Sequence, residues 1–273
     1  MNQPHAPLIT LLTDFGLQDH YVAGMKGVIL DITPQAVIVD MCHDVPARDI
    51  WAAGFLLHAA YASFPSHTIH LCVVDPGVGT ARRPIIVTTE HHWFVAPDNG
   101  LLSLVYEREK EFHVFEVTAE HYFRKPLSRT FHGRDLFAPV AAWLARGIEP
   151  VHFGNEVSDP IRLDWPRVHR AADNEFVGAI QHVDRFGNLV TNFPAQDMET
   201  VVERGNLSFQ YLIKEQQVCS FYRAYAEAPP GKIFAISGSS GYVEFSVRDG
   251  SAAAAIGAIR GDLVRLLLLP KTS

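Results

Sequence analysis

The residues best suited to chemistry stand in short polar segments that follow apolar stretches. The first is DPGVGTARR, which begins at Asp75 directly after the apolar run 68–74 and contains Arg82 and Arg83. Strand ends of this kind form the usual ligand edge of an open α/β sheet. The same residues are equally typical of a turn with an aspartate cap and two solvated arginines. No Walker or dinucleotide-binding loop is indicated, because Gly-Lys-Ser/Thr is missing and Arg82 replaces the third glycine.

Two further segments carry a titratable side chain close to a glycine. His132 lies in TFHGRD before a predicted helix, and an imidazole can hold or transfer a proton near neutral pH. Taken alone, the segment is also typical of a structural histidine followed by Asp135 as a helix cap. Asp14 lies in LTDFG, where a carboxylate can bind sugar hydroxyls or form an Asx-turn. These residues alone support either interpretation.

The second half of the chain carries two more candidate segments. Asp184 and Asn188 belong to DRFGNLVTNF, which by itself resembles a hairpin with its turn at Gly187 and Asn188. Ser239 and Ser240 belong to SGSSGY, whose hydroxyls and backbone amides suit a carboxylate ligand, although glycine-serine segments are mostly plain loops. A metal centre is not predicted, since no HExxH or comparable spacing connects the candidate ligands His43, Asp44, His91 and His92.

Composition limits the kind of protein this is. The chain has 273 residues, 48% of them hydrophobic and 19% charged, which predicts a globular protein with one large or two modest domains. A net charge of -7 without a basic tract argues against nucleic acid as a partner. The three cysteines have no CxxC spacing, and neither a basic leader nor an apolar span of roughly 20 residues is present. We therefore predict a cytoplasmic protein without a membrane segment.

The elements that position these residues follow two patterns. In the first half, strands predicted at 8–12, 36–41, 68–74, 85–89, 93–96 and 112–117 alternate with helices at 20–32, 49–64 and 135–146, the first capped by Asp19. After a proline-interrupted stretch at 155–170, short strands are predicted at 175–183, 189–192, 207–212, 232–237, 243–247 and 263–269. This organisation predicts an α/β domain at 1–165 and a β-rich domain at 166–273.

Taken together and in order, these segments resemble the S-adenosylmethionine hydroxide adenosyltransferase family, hydrolytic relatives of the 5′-halogenating fluorinases and chlorinases. The resemblance covers about residues 7–266, and its most specific pieces are LLTDFG, VVDPGVGTARR, APDNGLL, TFHGRD, VDRFGNLVTN and GSSGY. It implies an α/β N-terminal domain with a Rossmann-like central sheet and an all-β, barrel-like C-terminal domain. It also implies a homotrimer whose sites lie between neighbouring subunits, with S-adenosyl-L-methionine as substrate, adenosine and methionine as products, and no cofactor or metal.

The family's site residues transfer to this sequence one by one. Its catalytic set corresponds to Asp75, Arg82 and His132. Its ribose-binding carboxylate corresponds to Asp14, and the contacts to the methionine ammonium, the adenine and the methionine carboxylate correspond to Asp184, Asn188 and Ser239, with Ser240 beside them. Halogenases tend to carry arginine at the position of Ser240, so its contact with the carboxylate is the weakest part of the transfer.

Asp75 distinguishes hydrolysis from halogenation within this resemblance. The halogenases carry an aromatic residue there, and an anionic carboxylate would repel a halide. Water is a very weak acid and a poor nucleophile, so it is instead helped by an acceptor that orients it and draws off a proton. Three alternatives remain: a 5′-halogenase, a non-catalytic S-adenosylmethionine or adenosine sensor, and a metal-dependent hydrolase using His43, Asp44 and His132. Keeping the catalytic set together favours catalysis over sensing.

Overall fold

The computed structural model describes residues 6–204 and 207–270. The chain divides into two compact units, with the division between Leu163 and Asp164. Within the described residues, the first unit is built on a six-stranded sheet and the second on a nine-stranded sheet. In the same residues, no helix is both long and apolar enough to cross a membrane.

The first unit alternates strands and helices, as the sequence predicts. Its elements are β1 (Leu8–Thr13), α1 (Tyr21–Ile32), β2 (Val37–Cys42), α2 (Ile50–Ala60), β3 (Thr68–Val73), β4 (Pro84–Thr89), β5 (His92–Pro97), α3 (Ser103–Arg108), β6 (Phe112–Glu116) and α4 (Ala138–Ala145). The strand order is β2-β1-β3-β5-β4-β6. Strands β1, β2, β3 and β5 are parallel, whereas β4 is antiparallel to both of its neighbours.

Helices cover both faces of this sheet. On one face, Met25 and Ile29 of α1 and the buried residues of α4 pack against Ile9 and Leu11. On the other face, α2 and α3 pack against strand residues such as Cys72. Strand β3 is buried along its whole length, as expected for a strand covered by helices on both sides. The unit is therefore a three-layer α/β structure in which the chain passes from β1 to β2 on one side and to β3 on the other.

The ends of the neighbouring strands β1 and β3 define the edge of the sheet where a ligand is expected. Thr13 at the end of β1 pairs with Val73 at the end of β3. Because both strands are parallel, the residues that follow them emerge at the same edge of the sheet. Open α/β sheets bind ligands at this edge, where the strand order reverses.

The second unit is β-rich and its sheet is a curled half-barrel. Its elements are β7 (His169–Ala172), β8 (Glu175–Val183), β9 (Leu189–Pro194), α5 (Ala195–Arg204), β10 (Leu207–Ile213), β11 (Gln216–Val218), β12 (Phe221–Tyr222), β13 (Ile233–Ser237), β14 (Tyr242–Val247), α6 (Ala252–Ile256) and β15 (Leu263–Pro270). The strand order is β11-β10-β15-β8-β9-β14-β13-β12, and β7 pairs with β8.

The prediction that this unit is all-β is wrong in one respect, because it contains the helices α5 and α6. Helix α5 places Met198 in the core and Asp197 in its first turn, where a carboxylate favours the helix N-terminus. The sheet curls at β8, whose first half pairs with β15 and whose second half pairs with β9 across an irregularity between Ile180 and His182. An irregularity of this kind bends a strand.

Two predicted helix boundaries also differ from the structure. Helix α1 starts after His20, which makes no side-chain cap, so Asp19 is not its cap. The predicted helix at 135–146 begins instead as a π-helical turn at Gly133–Phe137 and continues as α4. In contrast, the helix predicted to begin at residue 49 does begin there, and Asp49 caps α2 by accepting a hydrogen bond from the backbone N–H of Ala52 at 2.9 Å.

Candidate active site

Asp75 and Arg82 form a closely bonded ion pair just beyond the end of β3. The Arg82 Nε lies 3.0 Å from each of the two carboxylate oxygens, and its Nη2 also donates to Oδ2. The side chains are only 9% exposed for Arg82 and 5% exposed for Asp75. A charge pair this far removed from water is held in one geometry. Each carboxylate oxygen has two lone pairs, so Asp75 can still accept a hydrogen bond from a further molecule.

His132 lies 50 residues after Arg82 in the sequence and contacts the same guanidinium. The Arg82 Nη2 lies 2.8 Å from His132 Nδ1. A guanidinium has donors only, so Nδ1 must accept, and the ring proton of the neutral histidine must stand on Nε2. Burial lowers the pKa of His132, and the positive charge of Arg82 lowers it further. The histidine is therefore neutral at pH 7 and offers a donor, not a base, at Nε2.

A glycine lets the segments that carry Arg82 and His132 approach each other. Gly79 has a φ of +77°, and a Cβ built on it would stand 2.6 Å from the backbone oxygen of Arg129. The segment that carries His132 is fixed by the buried Asp135, which accepts from the backbone N–H of Ser128 at 2.9 Å and from Arg134. This close backbone approach brings Asp75 and His132 to one guanidinium, where both bond the Nη2 of Arg82.

Asp14 lies at the same edge of the first sheet. Its Oδ2 accepts a hydrogen bond from the backbone N–H of Arg48 at 2.7 Å. The next residue, Phe15, contacts Phe131 with ring centroids 6.0 Å apart, so the Asp14 segment touches the segment that carries His132. The structure thus brings Asp14, Asp75, Arg82 and His132 to one end of the first unit.

The remaining predicted site residues belong to the second unit. Asp184 and Asn188 are bonded to each other across a turn: Asp184 Oδ1 accepts from the Asn188 backbone N–H, and Oδ2 accepts from Asn188 Nδ2, each at 2.8 Å. Ser239 is exposed in the loop between β13 and β14. The Ser240 hydroxyl is buried and has no hydrogen-bond partner among the described residues. A buried hydroxyl without a partner suits a ligand that can form a hydrogen bond with it.

Comparison with known proteins decides the family. The N-terminal domain model of the SAM hydroxide adenosyltransferases matches residues 9–154, and the C-terminal domain model matches residues 178–265. The chain belongs to the SAM hydroxide adenosyltransferase family. The two matches fall on opposite sides of the division between the units.

Named relatives of this family member fall into two groups. A protein from Thermus thermophilus named (R)-S-adenosyl-L-methionine hydrolase is 36% identical and covers 95% of this chain and 99% of its own length. A hydrolase of the same name from Salinispora tropica is 35% identical over 95% of this chain and 97% of its own length. A fluorinase from Nocardia brasiliensis is 26% identical over 71% of this chain and 73% of its own length.

A solved structure has the same fold as this family member. The crystal structure of an uncharacterized conserved protein from Thermotoga maritima superposes with a TM-score of 0.88 at 32% identity. The match covers 95% of this chain and 99% of that chain.

Asn99 supports the site without having been assigned a role from the sequence. Asn99 Nδ2 donates to the backbone oxygen of Val74 at 2.9 Å, which steadies the strand end directly before Asp75. Asn99 is part of the motif APDNGLL. The sequence does not show, however, that its side-chain amide bonds a backbone oxygen 25 residues earlier. Arg83 does not join Asp75, Arg82 and His132, because it bonds Asp98 and Asp159 instead.

Glu244 is a second residue that sequence reasoning missed. It is 6% exposed on β14, and its Oε2 accepts from the Tyr225 hydroxyl at 3.1 Å. Burial raises the pKa of Glu244, and the negative charge of Asp184 raises it further. The available signal was a lone glutamate in an apolar strand, which is also typical of a solvent-facing position.

The candidate metal ligands of the sequence are dispersed or already bonded. In residues 6–204 and 207–270, no three histidine, cysteine, aspartate or glutamate side chains are grouped so that they could hold a metal ion. His43 is bonded to Thr13, and His92 lies 3.4 Å from His70.

Proposed function

We propose that this protein hydrolyses S-adenosyl-L-methionine to adenosine and L-methionine by attack of water at C5′. The observation that carries the proposal is the buried carboxylate of Asp75, held by Arg82 at the ligand edge of the first sheet. A carboxylate accepts a hydrogen bond from water and repels a halide. The relatives agree with this choice, since those named hydrolases match over 95% of the chain whereas the fluorinase matches over 71% at lower identity.

The proposed reaction is a direct displacement. The water oxygen bonds to C5′ while the bond from C5′ to sulfur breaks, and the electron pair of that bond stays on sulfur. Methionine leaves as a neutral thioether, and the proton of water passes to Asp75 and then to solvent. Because the sulfonium is already a good leaving group, the protein mainly has to hold the water in line with the breaking bond.

Arg82 and His132 have separate roles in this proposal. Arg82 orients Asp75 and keeps it ionised before the reaction, so that the carboxylate can direct the water and draw off its proton. His132 holds the water by donating from Nε2, because its Nδ1 is occupied by Arg82. A proton relay through His132 is disfavoured, since the neutral ring has no free acceptor while the contact with Arg82 is kept.

The substrate contacts extend the proposal to both units. Asp14 holds the ribose hydroxyls, Asn188 contacts the adenine, Asp184 faces the methionine ammonium, and Ser239 with Ser240 receives the methionine carboxylate. The first sheet serves as a Rossmann-like nucleoside platform, and the second unit serves as the barrel-like partner. We further propose a cytoplasmic homotrimer in which neighbouring subunits share each site, with no cofactor.

The proposal is tested by incubating the purified protein with S-adenosyl-L-methionine and separating the products by chromatography. The name of the relatives contains both the descriptor R and the descriptor L. Since L already gives the configuration of the methionine α carbon, R refers to the sulfonium centre. The two sulfonium epimers of the substrate are therefore tested separately. Adenosine and methionine in equal amounts are expected, also after treatment with a chelator. A 5′-halogenated nucleoside formed in the presence of halide would identify a halogenase, binding without turnover would identify a sensor, and activity lost to chelator and restored by zinc would identify a metallohydrolase.

A further inference from the structure

His43 contacts the chain on both sides of Asp14. It follows the end of β2 and is 4% exposed. Its Nδ1 lies 2.8 Å from the hydroxyl of Thr13, and its backbone oxygen accepts from the backbone N–H of Gly16, also at 2.8 Å. One buried histidine therefore holds the residue before Asp14 and the residue two positions after it.

The polar contacts of His43 continue away from the site. Its Nε2 lies 3.1 Å from Asp40 Oδ1, close enough for the N–H to be attracted to the carboxylate although it is not aligned as an ideal hydrogen bond. Asp40 Oδ2 in turn accepts from Lys26 Nζ at 2.7 Å. A ring nitrogen that faces a carboxylate carries the proton, so in the neutral histidine Nδ1 is the acceptor.

This assignment fixes the direction of every contact at Thr13. The hydroxyl donates to His43 Nδ1, while its oxygen accepts from the backbone N–H of Phe15 at 3.3 Å. The Asp14 carboxylate is restrained independently, because its Oδ2 is held by the backbone N–H of Arg48. Among the described residues, Asp14 Oδ1 has no donor and so can receive a ligand hydroxyl.

Two other uses of these residues conflict with the geometry. Threonine, histidine and aspartate are the types found in nucleophilic triads, but Thr13 is 0% exposed and its oxygen already accepts from Phe15, so no electrophile can reach it. Metal binding is also disfavoured, because Nδ1 of His43 faces a hydroxyl hydrogen and Nε2 faces Asp40.

We infer that His43 is a positioning residue that fixes the segment around Asp14 so that its free carboxylate oxygen meets the ribose hydroxyls. The inference rests on the proposed function, since it takes Asp14 as the ribose contact. His43 acts on nucleoside affinity and not on the chemical step, because it makes no contact with Asp75, Arg82 or His132 among the interactions of the described residues.

The chain offers a matched control in the same strand. Thr10, three residues before Thr13 in β1, is bonded to the buried His70 at 2.8 Å, and neither residue bonds the Asp14 segment. The Thr13→Val and Thr10→Val variants each remove one buried hydroxyl bonded to a histidine. His43→Leu and His70→Leu remove the two imidazoles, and His43→Asn restores an acceptor near the position of Nδ1.

The experiment measures adenosine affinity by calorimetry, steady-state kinetics with S-adenosyl-L-methionine, and thermal unfolding for every variant. We expect Thr13→Val and His43→Leu to weaken adenosine binding roughly tenfold and raise KM while kcat stays within about twofold. Thr10→Val and His70→Leu should lower the unfolding temperature but leave adenosine affinity within about twofold. His43→Asn should recover most of the affinity. If His43→Leu does not fold, Thr13→Val carries the test.

A double variant separates positioning from general destabilisation. In the Asp14→Ala background, His43→Leu should weaken adenosine binding no further, because the group that it positions is gone. Fully additive losses, or equal affinities in the Thr13→Val and Thr10→Val variants, would overturn the inference. The adenosine measurements do not depend on turnover. If the wild-type protein binds adenosine but releases no methionine, the proposed hydrolysis is contradicted. The role of His43 is then still decided by the adenosine affinities of the variants.

Discussion

A single guanidinium fixes both side chains that are proposed to handle water. Arg82 bonds the Asp75 carboxylate with Nε and Nη2, and the same Nη2 reaches His132. Its charge also lies over the Phe137 ring, 5.0 Å from the centroid, which restricts its movement. At the scale of single residues, the arrangement predicts different consequences for the carboxylate and for the imidazole.

Replacing Asp75 by asparagine should affect turnover and not binding. The Asp75→Asn variant keeps the shape and a carbonyl acceptor but loses the charge that draws a proton from water. General-base assistance contributes roughly 10²–10⁴-fold, so kcat should fall within that range while the affinity for S-adenosyl-L-methionine survives. Single-turnover kinetics and calorimetry measure the two quantities. Turnover close to that of the wild type would mean that Asp75 does not activate water and that its segment is only a turn.

The acid limb of the pH profile should report His132. Burial and the charge of Arg82 lower the pKa of His132, so the ring stays neutral until the pH falls below the ordinary histidine value of about 6.5. Protonation places a hydrogen on Nδ1, opposite a donor of Arg82, and breaks their contact. We expect the decline of kcat/KM on the acid side to begin only below about pH 6.5.

A variant shows whether this limb belongs to the imidazole. His132→Asn retains an acceptor but does not titrate, so its acid limb should move to lower pH. An acid limb in the wild type with a midpoint above about pH 6.5, or an unchanged limb in His132→Asn, disagrees with a neutral histidine held by Arg82.

At the scale of elements, the approach of two loops depends on Gly79. Alanine at this position would adopt an unfavourable positive φ and place its Cβ against the Arg129 backbone oxygen. The segment with His132 would then move away from Arg82. Because displacements of about 1 Å can cost about 10²-fold in rate, Gly79→Ala should lower kcat roughly 10- to 100-fold.

Gly147 provides the control for this effect. Its φ is +89°, yet a Cβ there would meet nothing within 4 Å. Gly147→Ala should therefore cost about 1–2 kcal/mol of stability and leave kcat unchanged. Equal kinetic losses in the two variants would show that backbone strain, and not the contact between the loops, causes the effect.

Much of the element order was predictable because its signals are local. The apolar run of β3 and the start of α2 at residue 49 are both visible in the sequence, and both are confirmed. Helix α5 was missed although Met198, Val201 and Val202 have helical spacing, because the surrounding strand patterns favoured a purely β interpretation.

The candidate site was predictable only in part, because its contacts connect distant segments. The strand-end positions of Asp14 and Asp75 follow from the sequence, and their types indicate acid–base or hydroxyl-binding chemistry. That Arg82 reaches His132, 50 residues later, depends on the contact at Gly79 and on the π-helical turn. The pair of Thr13 and His43, 30 residues apart, is invisible for the same reason.

At the scale of the whole molecule, the proposed substrate contacts are divided between the two units. Asp14 and the proposed catalytic residues belong to the first unit, and Asp184, Asn188 and the serines belong to the second. The family resemblance implies that neighbouring subunits combine them in a trimer. Sedimentation or light scattering should then give roughly three times the chain mass of 30.4 kDa, or a multiple of that assembly. A fully active monomer would contradict sites shared between subunits.

The central claim is that water attacks C5′ directly, and the origin of the oxygen in the product tests it. The reaction is run in water enriched in heavy oxygen, and both products are analysed by mass spectrometry with fragmentation. Heavy oxygen should appear in the 5′-hydroxyl of adenosine and nowhere in methionine. Unlabelled adenosine, or label in methionine, would contradict attack of water at C5′ and with it the role proposed for Asp75.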